Sequence, residues 1–191
     1  DRLQVQTVPV QKIILMNTEE KIISSETLYA GKVFTAKKYT VALPDGRTAF
    51  REEVEHHGGA GILAEEGGKV YLVKQFRLSV GKEILEIPAG KLEKGEDPLV
   101  CAKRELSEET GLTAKKWTKI CSASPSPGYT NEIIHIYRAE DFTFGKTHFD
   151  DDEFLNVVKI PVEKAFEMVE SGEIFDAKTV IALLYLKTIY K

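Results

Sequence analysis

Three carboxylates in one short segment have the spacing of a metal-binding helix face. Glu105, Glu108 and Glu109 follow the i, i+3, i+4 pattern, which places side chains within an arc of about 100° on one side of a helix. Like charges at this spacing repel one another, and Mg²⁺ and Mn²⁺ relieve that repulsion because they prefer carboxylate oxygens. Arg104 could orient a glutamate through a charge-assisted pair. The pattern indicates either a divalent-cation site that receives a phosphate substrate or a solvated acidic helix surface.

The residues around these carboxylates predict the helix that carries them. Asp97 is a suitable N-cap, Pro98 suits the first helical position, and Gly111 suits a left-handed C-terminal cap. These signals predict a helix of about 13 residues. An apolar strip next to the acidic face would pack on a sheet, and it consists of Leu99, Ala102 and Leu106.

The rest of the chain consists mainly of strand signals. Asp45-Gly46 and Gly67-Gly68 read as hairpin turns between segments rich in β-branched and aromatic residues. Further strands are expected before and after the helix, and two more helices are predicted over residues 161–170 and 177–190. We therefore predict an α/β fold with a mixed, mostly antiparallel sheet between helices, preceded by an N-terminal antiparallel β extension.

Composition excludes several classes of protein. The 191 residues carry a net charge of −4, and no Lys/Arg run exceeds two residues, which argues against a nucleic-acid-binding protein. No apolar run approaches the roughly 20 residues that span a bilayer, and residues 1–10 lack a signal-peptide core, so no membrane association is expected. Cys101 and Cys121 have no metal-ligand spacing. These features favour a cytoplasmic protein.

The acidic segment resembles the Nudix box, G-x5-E-x7-R-E-U-x-E-E-x-G-U, where U is apolar. All defined positions are present: Gly90, Glu96, Arg104, Glu105, Leu106, Glu108, Glu109, Gly111 and Leu112. The resemblance implies a Nudix α/β/α sandwich that hydrolyses a nucleoside diphosphate linked to another group. It also implies that Glu105, Glu108 and Glu109 bind Mg²⁺, with Mn²⁺ possible, and that the Ala89 carbonyl is a further ligand.

Other features resemble the ADP-ribose pyrophosphatase branch of that family. Pro127 lies 15 positions beyond Leu112, where this branch carries a proline. By resemblance, residues 1–56 form a β-rich subdomain for homodimerisation and residues 57–191 form the hydrolase domain. The substrate-binding residues expected from this likeness are Arg51, Arg77, Glu86, Pro127 and Gly128.

The general base is expected outside the box. In related enzymes a glutamate in a loop before a strand activates the water, and Glu153 in "HFDDDEFLNV" is the matching position. A neighbouring aspartate among Asp150, Asp151 and Asp152 is the alternative. Glu108 and Arg104 complete the predicted catalytic group.

The predicted reaction is metal-dependent hydrolysis of ADP-ribose to AMP and ribose 5-phosphate. A related enzyme acting on another nucleotide sugar, such as GDP-mannose, is the alternative, because its relatives share a "GEI-x-D-x-KT" pattern with Gly172 to Thr179. A non-catalytic, nucleotide-sensing Nudix domain is a third interpretation, but the chain offers no basic segment for a DNA-binding domain.

Overall fold

The computed structural model describes residues 17–147 and 154–190, which form two β-sheets and three helices. In chain order the elements are β1 (Lys21–Ala30), β2 (Thr35–Ala42), β3 (Thr48–Glu55), β4 (Gly59–Glu66), β5 (Lys69–Arg77), β6 (Lys82–Glu86), β7 (Ala89–Lys91), α1 (Pro98–Thr110), β8 (Leu112–Ala123), β9 (Ile134–Phe144), β10 (Leu155–Pro161), α2 (Val162–Glu170) and α3 (Ala177–Ile189).

The larger sheet is mixed and lies between helices. Its strand order is β10-β5-β4-β9-β8, with β6 paired to β5 and β7 paired to β4. β4 and β9 run parallel, whereas the other pairs are antiparallel. Ile62 of β4 packs in one core with Leu106 of α1, and its neighbour Leu63 packs in a second core with Leu183 of α3. Because successive strand residues face opposite sides, α1 covers one face and α3 the other. The predicted α/β/α fold is confirmed.

The helix boundaries follow local signals. α1 begins after Asp97, whose carboxylate accepts hydrogen bonds from the amides of Leu99 at 2.9 Å and Val100 at 3.2 Å. It ends at Thr110 and is capped by Gly111, where φ is 70°. The predicted bounds of α1 are therefore confirmed. α2 starts one residue later than predicted, because Pro161 completes β10 and acts as the cap. Within the described chain, no helix combines the length and the apolar character needed to cross a membrane.

The smaller sheet comprises β1, β2 and β3, and it is antiparallel throughout. The predicted Asp45-Gly46 turn joins β2 to β3, with Gly46 at φ 85°. The end of β3 attaches this sheet to the loop that follows β8. The Val54 amide donates to the Tyr129 carbonyl at 2.8 Å, and the Thr130 hydroxyl donates to the Val54 carbonyl at 2.9 Å. The smaller sheet and the loop containing Pro127 are thus directly connected. The domain boundary between residues 56 and 57 stays a prediction.

Candidate active site

Two of the three α1 carboxylates are buried. α1 packs on the sheet through Cys101, Ala102 and Leu106, which are inaccessible to solvent. The same packing leaves only 2% of Glu109 and 8% of Glu105 exposed. A solvated acidic surface is therefore the wrong interpretation for these two residues. Burying carboxylates costs free energy unless hydrogen bonds and counter-charges compensate for the lost water, so their surroundings must supply both.

The first residues of β7 contact these carboxylates. The Ala89 amide donates a hydrogen bond to Glu109 Oε2 at 3.0 Å. The Glu105 carboxyl group lies against Gly90, where a built Cβ atom would overlap it. Only glycine has room for a carboxylate this close to the strand backbone. The motif glycine therefore has a steric function in the site.

The guanidinium of Arg104 contacts three glutamates of the site. Its Nη1 atom contacts Glu105 Oε1 at 2.7 Å and Glu108 Oε2 at 3.1 Å. Its Nε and Nη2 atoms contact the two oxygens of Glu96 at 3.2 and 3.1 Å. The predicted pairing of Arg104 with a glutamate is seen here with three of them, and Glu96 is the partner that the sequence argument did not assign.

The charges in this group shift one another's pKa values. The hydrogen bond from Arg104 is the main cause that lowers the pKa of Glu96 below its ordinary value. Hydrogen bonding to Glu96 likewise raises the pKa of Arg104, against the opposing effect of burial, with Glu105 and Glu108 adding to the increase. The guanidinium therefore remains charged, and it partly offsets the repulsion among the carboxylates.

The donor set fits a hard divalent cation, although the oxygens are not gathered in advance. Among residues 17–147 and 154–190, no three acidic, histidine or cysteine side chains converge as a ready metal cage. The available donors are carboxylate oxygens on one helix face and backbone oxygens of β7 next to a glycine. Such oxygen donors suit Mg²⁺ or Mn²⁺ rather than zinc. The residues that could hold a cation are Ala89, Glu105, Glu108 and Glu109.

A second polar cluster lies beside the first, around Glu86. This carboxylate is 2% exposed and accepts from Arg77 through Nε at 2.7 Å and Nη2 at 3.2 Å. Lys178 of α3 donates to its Oε1 at 2.6 Å. The structure therefore brings Arg77 and Glu86 together as an ion pair in which the carboxylate is buried and the arginine is 40% exposed. Lys178 was not assigned a role from the sequence, although the "GEI-x-D-x-KT" pattern contains it.

The acidic groups around Arg77 keep its guanidinium charged. Burial acts to lower the pKa of its guanidinium, but the hydrogen bond and charge of Glu86 outweigh that effect and raise the pKa. The charges of Asp176 and Glu109 contribute to the increase. Glu86, which binds Arg77, and Ala89, which binds Glu109, are three positions apart, so the Arg77 cluster and the acidic face of α1 lie along the same short segment.

The other predicted substrate residues lie around the smaller sheet. Arg51 is on β3 and pairs with Glu20. Pro127 and Gly128 precede Tyr129 in the loop attached to β3. A cavity of about 240 Å³ lies nearby, and it is lined by Gly31, Lys32, Val33, Phe34, Thr35, Glu55, His56, His57 and Asn131. Glu153 and Asp150 to Asp152 lie outside the described residues.

Replacing Arg104 by Met should lower the free energy of unfolding in EDTA at pH 7 by about 1–2 kcal/mol, because the carboxylates lose their shared counter-charge. Urea denaturation measures this change, and Lys103→Met, at an exposed position on the same helix, is the matched control. An equal loss of unfolding free energy in the two variants would contradict the role of Arg104 as the counter-charge of these carboxylates.

The difference in unfolding free energy between Arg104→Met and wild type should depend on pH. The folded-state pKa of Glu96 is lowered, so its pairing stabilises the fold above the ordinary glutamate pKa and is lost as the pH falls through the lowered value. The difference between Arg104→Met and wild type should therefore shrink in acid.

Comparisons with known proteins place this site in a family. A family model described as NUDIX domain matches residues 55–183. The chain is 46% identical over 176 residues to an ADP-ribose pyrophosphatase of Bacillus subtilis, covering 91% of this chain and 95% of that protein. It is 41% identical to a methanol dehydrogenase activator of Bacillus methanolicus, covering 88% and 93% of the two chains. It is 38% identical to a GDP-mannose pyrophosphatase of Salmonella typhi, covering 72% and 78%.

A solved structure of an ADP compounds hydrolase has the same fold. Its TM-score is 0.80 at 22% identity, and the match covers 93% of this chain and 99% of that one. The family model spans most of the chain and contains the whole segment from Gly90 to Leu112. The chain therefore belongs to the Nudix family of hydrolases.

Proposed function

We propose that the protein hydrolyses the diphosphate of ADP-ribose to AMP and ribose 5-phosphate in a reaction that requires a divalent cation. The observation that carries this proposal is the burial of Glu105 and Glu109 against Ala89 and Gly90 of β7, within an intact family motif. The 46% identical ADP-ribose pyrophosphatase, which the chain matches over 95% of its length, supports the choice of substrate.

Mg²⁺ is the proposed cation, with Mn²⁺ as a possible substitute. Glu105, Glu108, Glu109 and the Ala89 carbonyl would hold it. When bound, the cation would neutralise diphosphate oxygens and stabilise the leaving group. Arg104 positions Glu105 and Glu108 on the face of α1 where they can serve as ligands.

The remaining residues bind substrate or transfer a proton. Arg77 suits phosphate binding because its guanidinium carries a permanent charge and several donors. Arg51, Glu86, Pro127 and Gly128 are retained as proposed substrate residues. In the reaction a water oxygen bonds to phosphorus, the bond to the bridging oxygen breaks, and the water proton passes to a carboxylate. Glu153 is the proposed acceptor of that proton, with a neighbouring aspartate as the alternative.

Hydrolysis of another nucleotide sugar is the alternative function. The 38% identical GDP-mannose pyrophosphatase supports it, as does the motif that contains Asp176 and Lys178. A cytoplasmic location is also proposed, because Cys101 and Cys121 are both free thiols, as expected in a reducing compartment.

We also propose that the protein acts as a homodimer through the smaller sheet. β1 is exposed along its whole length, and its apolar side chains include Ile22, Ile23, Leu28 and Tyr29. An apolar strand of this kind is characteristic of a protein–protein interface. A second copy of the chain is the proposed partner.

Purified protein should release AMP and ribose 5-phosphate from ADP-ribose in Mg²⁺ and lose this activity in EDTA. Competition between ADP-ribose and GDP-mannose at equal concentration, with products separated by chromatography, ranks the two substrates. Preferred cleavage of GDP-mannose would favour the alternative. Cleavage of neither substrate in Mg²⁺ or Mn²⁺ would reject the proposed reaction.

Replacing Gly90 by Ala should weaken Mn²⁺ binding about tenfold or more, because the added Cβ would displace the Glu105 carboxylate. The fold should survive, since the overlap is with the flexible end of one side chain. Calorimetric titration with Mn²⁺ measures the affinity, and Lys91→Ala at the next, exposed position is the control. Unchanged Mn²⁺ affinity in Gly90→Ala would remove Glu105 from the cation site.

The dimer should have twice the 21.4 kDa mass of one chain in light scattering. Leu28→Glu should shift it toward monomer, because a charge would be buried in the interface. Leu184→Glu on α3 is the matched control, since Leu184 is 52% exposed and Leu28 is 54% exposed. A monomeric wild-type protein would contradict the proposal, as would dissociation by the control substitution alone.

A further inference from the structure

Lys178 occupies an electrostatically unfavourable position. It is the second residue of α3, after the N-cap Asp176. The N-terminal end of a helix carries partial positive charge, so a lysine there is repelled by the helix. Its side chain is also only 11% exposed, which removes most of its hydration. A packed apolar residue would avoid both costs, so the position calls for an explanation beyond stability.

The first turn of α3 offsets these costs by contacting two consecutive residues of the β6–β7 segment. Lys178 Nζ donates to Glu86 Oε1 at 2.6 Å and to Asp176 Oδ1 at 3.1 Å. The Thr179 hydroxyl donates to Asp176 Oδ2 at 2.6 Å and accepts from the Ile87 amide at 2.8 Å. Lys178 therefore binds the side chain of Glu86, whereas Thr179 binds the backbone amide of the next residue, Ile87.

Glu86 in turn determines the orientation of Arg77. The guanidinium uses Nε and Nη2 for Glu86, and the two-point contact fixes the plane of the group. These two hydrogen bonds do not use Nη1, and the Arg77 side chain is 40% exposed, so an anion can reach the guanidinium. Lys178 shares Oε1 with Arg77 Nη2, which restricts the rotation of the Glu86 carboxylate. The orientation of Arg77 thus depends on a lysine that need not touch the ligand.

We propose that Lys178 is a positioning residue that fixes Arg77, through Glu86, for binding the diphosphate of a nucleotide sugar. This inference rests on the proposed function of the site, and it assigns to α3 a role in substrate affinity. A residue that only stabilises the fold would change the unfolding free energy without changing ligand affinity. A residue that touches the ligand would act independently of Glu86.

A double-mutant cycle separates these cases. Full-length wild type, Lys178→Met, Glu86→Gln and the double variant are titrated calorimetrically with the α,β-methylene analogue of ADP-ribose in Mg²⁺. Lys178→Met should weaken binding about tenfold, and it should add little further loss in the Glu86→Gln background. The double variant removes both charges, so it leaves no unpaired buried carboxylate at Glu86. Lys187→Met is the matched control, because Lys187 lies on the same helix and pairs with Glu170 at 2.6 Å.

A spectroscopic measurement tests the same idea without ligand. The Arg77 Nε–H signal, assigned by its loss in Arg77→Lys, should exchange slowly with solvent in wild type and faster in Lys178→Met. Lys178→Gln, which also removes the charge, replaces the Met variant if that variant does not fold.

Unchanged analogue affinity in Lys178→Met, with lowered stability alone, would overturn the proposal. So would a full loss of affinity that persists in the Glu86→Gln background, or an Arg77 Nε–H signal that is unaffected in Lys178→Met. The proposed function fails separately if the wild-type chain releases no AMP from ADP-ribose, since the Arg77 signal is measured without substrate.

Discussion

The repulsion between carboxylates buried on one face of α1 is the constraint on which the site depends. Glu105 and Glu109 are nearly inaccessible to solvent, so their charges are screened far less than those of an exposed helix. The fold offsets this cost locally with the guanidinium of Arg104, the backbone amide of Ala89 and the absence of a side chain at Gly90. A divalent cation completes this compensation in our account, and it brings the diphosphate of the substrate to the same place.

The segment from Glu86 to Gly90 connects the two sides of the sandwich. Its Gly90 end lies against Glu105 of α1, and its Glu86 end binds Lys178 of α3. Helices on opposite faces of the sheet therefore contact the two ends of one five-residue segment. A change in either helix is expected to alter both cation binding and the orientation of Arg77. This arrangement explains why polar residues are buried here, where apolar packing alone would stabilise the fold.

Features that depend on neighbouring residues could be predicted from the sequence. Asp97, Pro98 and Gly111 define α1, and Asp45-Gly46 defines a hairpin, because caps and turns have local chemical causes. The acidic face of α1 followed from helical periodicity, and the motif identified its chemistry. The contact of Arg104 with three glutamates was only partly foreseen, since Glu96 lies before the helix begins.

Features that depend on the tertiary fold could not be predicted. Lys178 and Glu86 are 92 positions apart, and they meet only because α3 packs across the sheet from α1. A lysine near a helix start carries no local signal of a buried partner. The burial of Glu105 and Glu109 likewise depends on how α1 packs on the sheet. Helical periodicity alone cannot distinguish a metal site from a solvated surface.

The most direct test of the central claim is anomalous diffraction from crystals soaked with Mn²⁺ and α,β-methylene ADP-ribose. The account predicts Mn²⁺ density between the carboxylates of α1 and the diphosphate, whereas ordered ligand with Mn²⁺ bound elsewhere would contradict it.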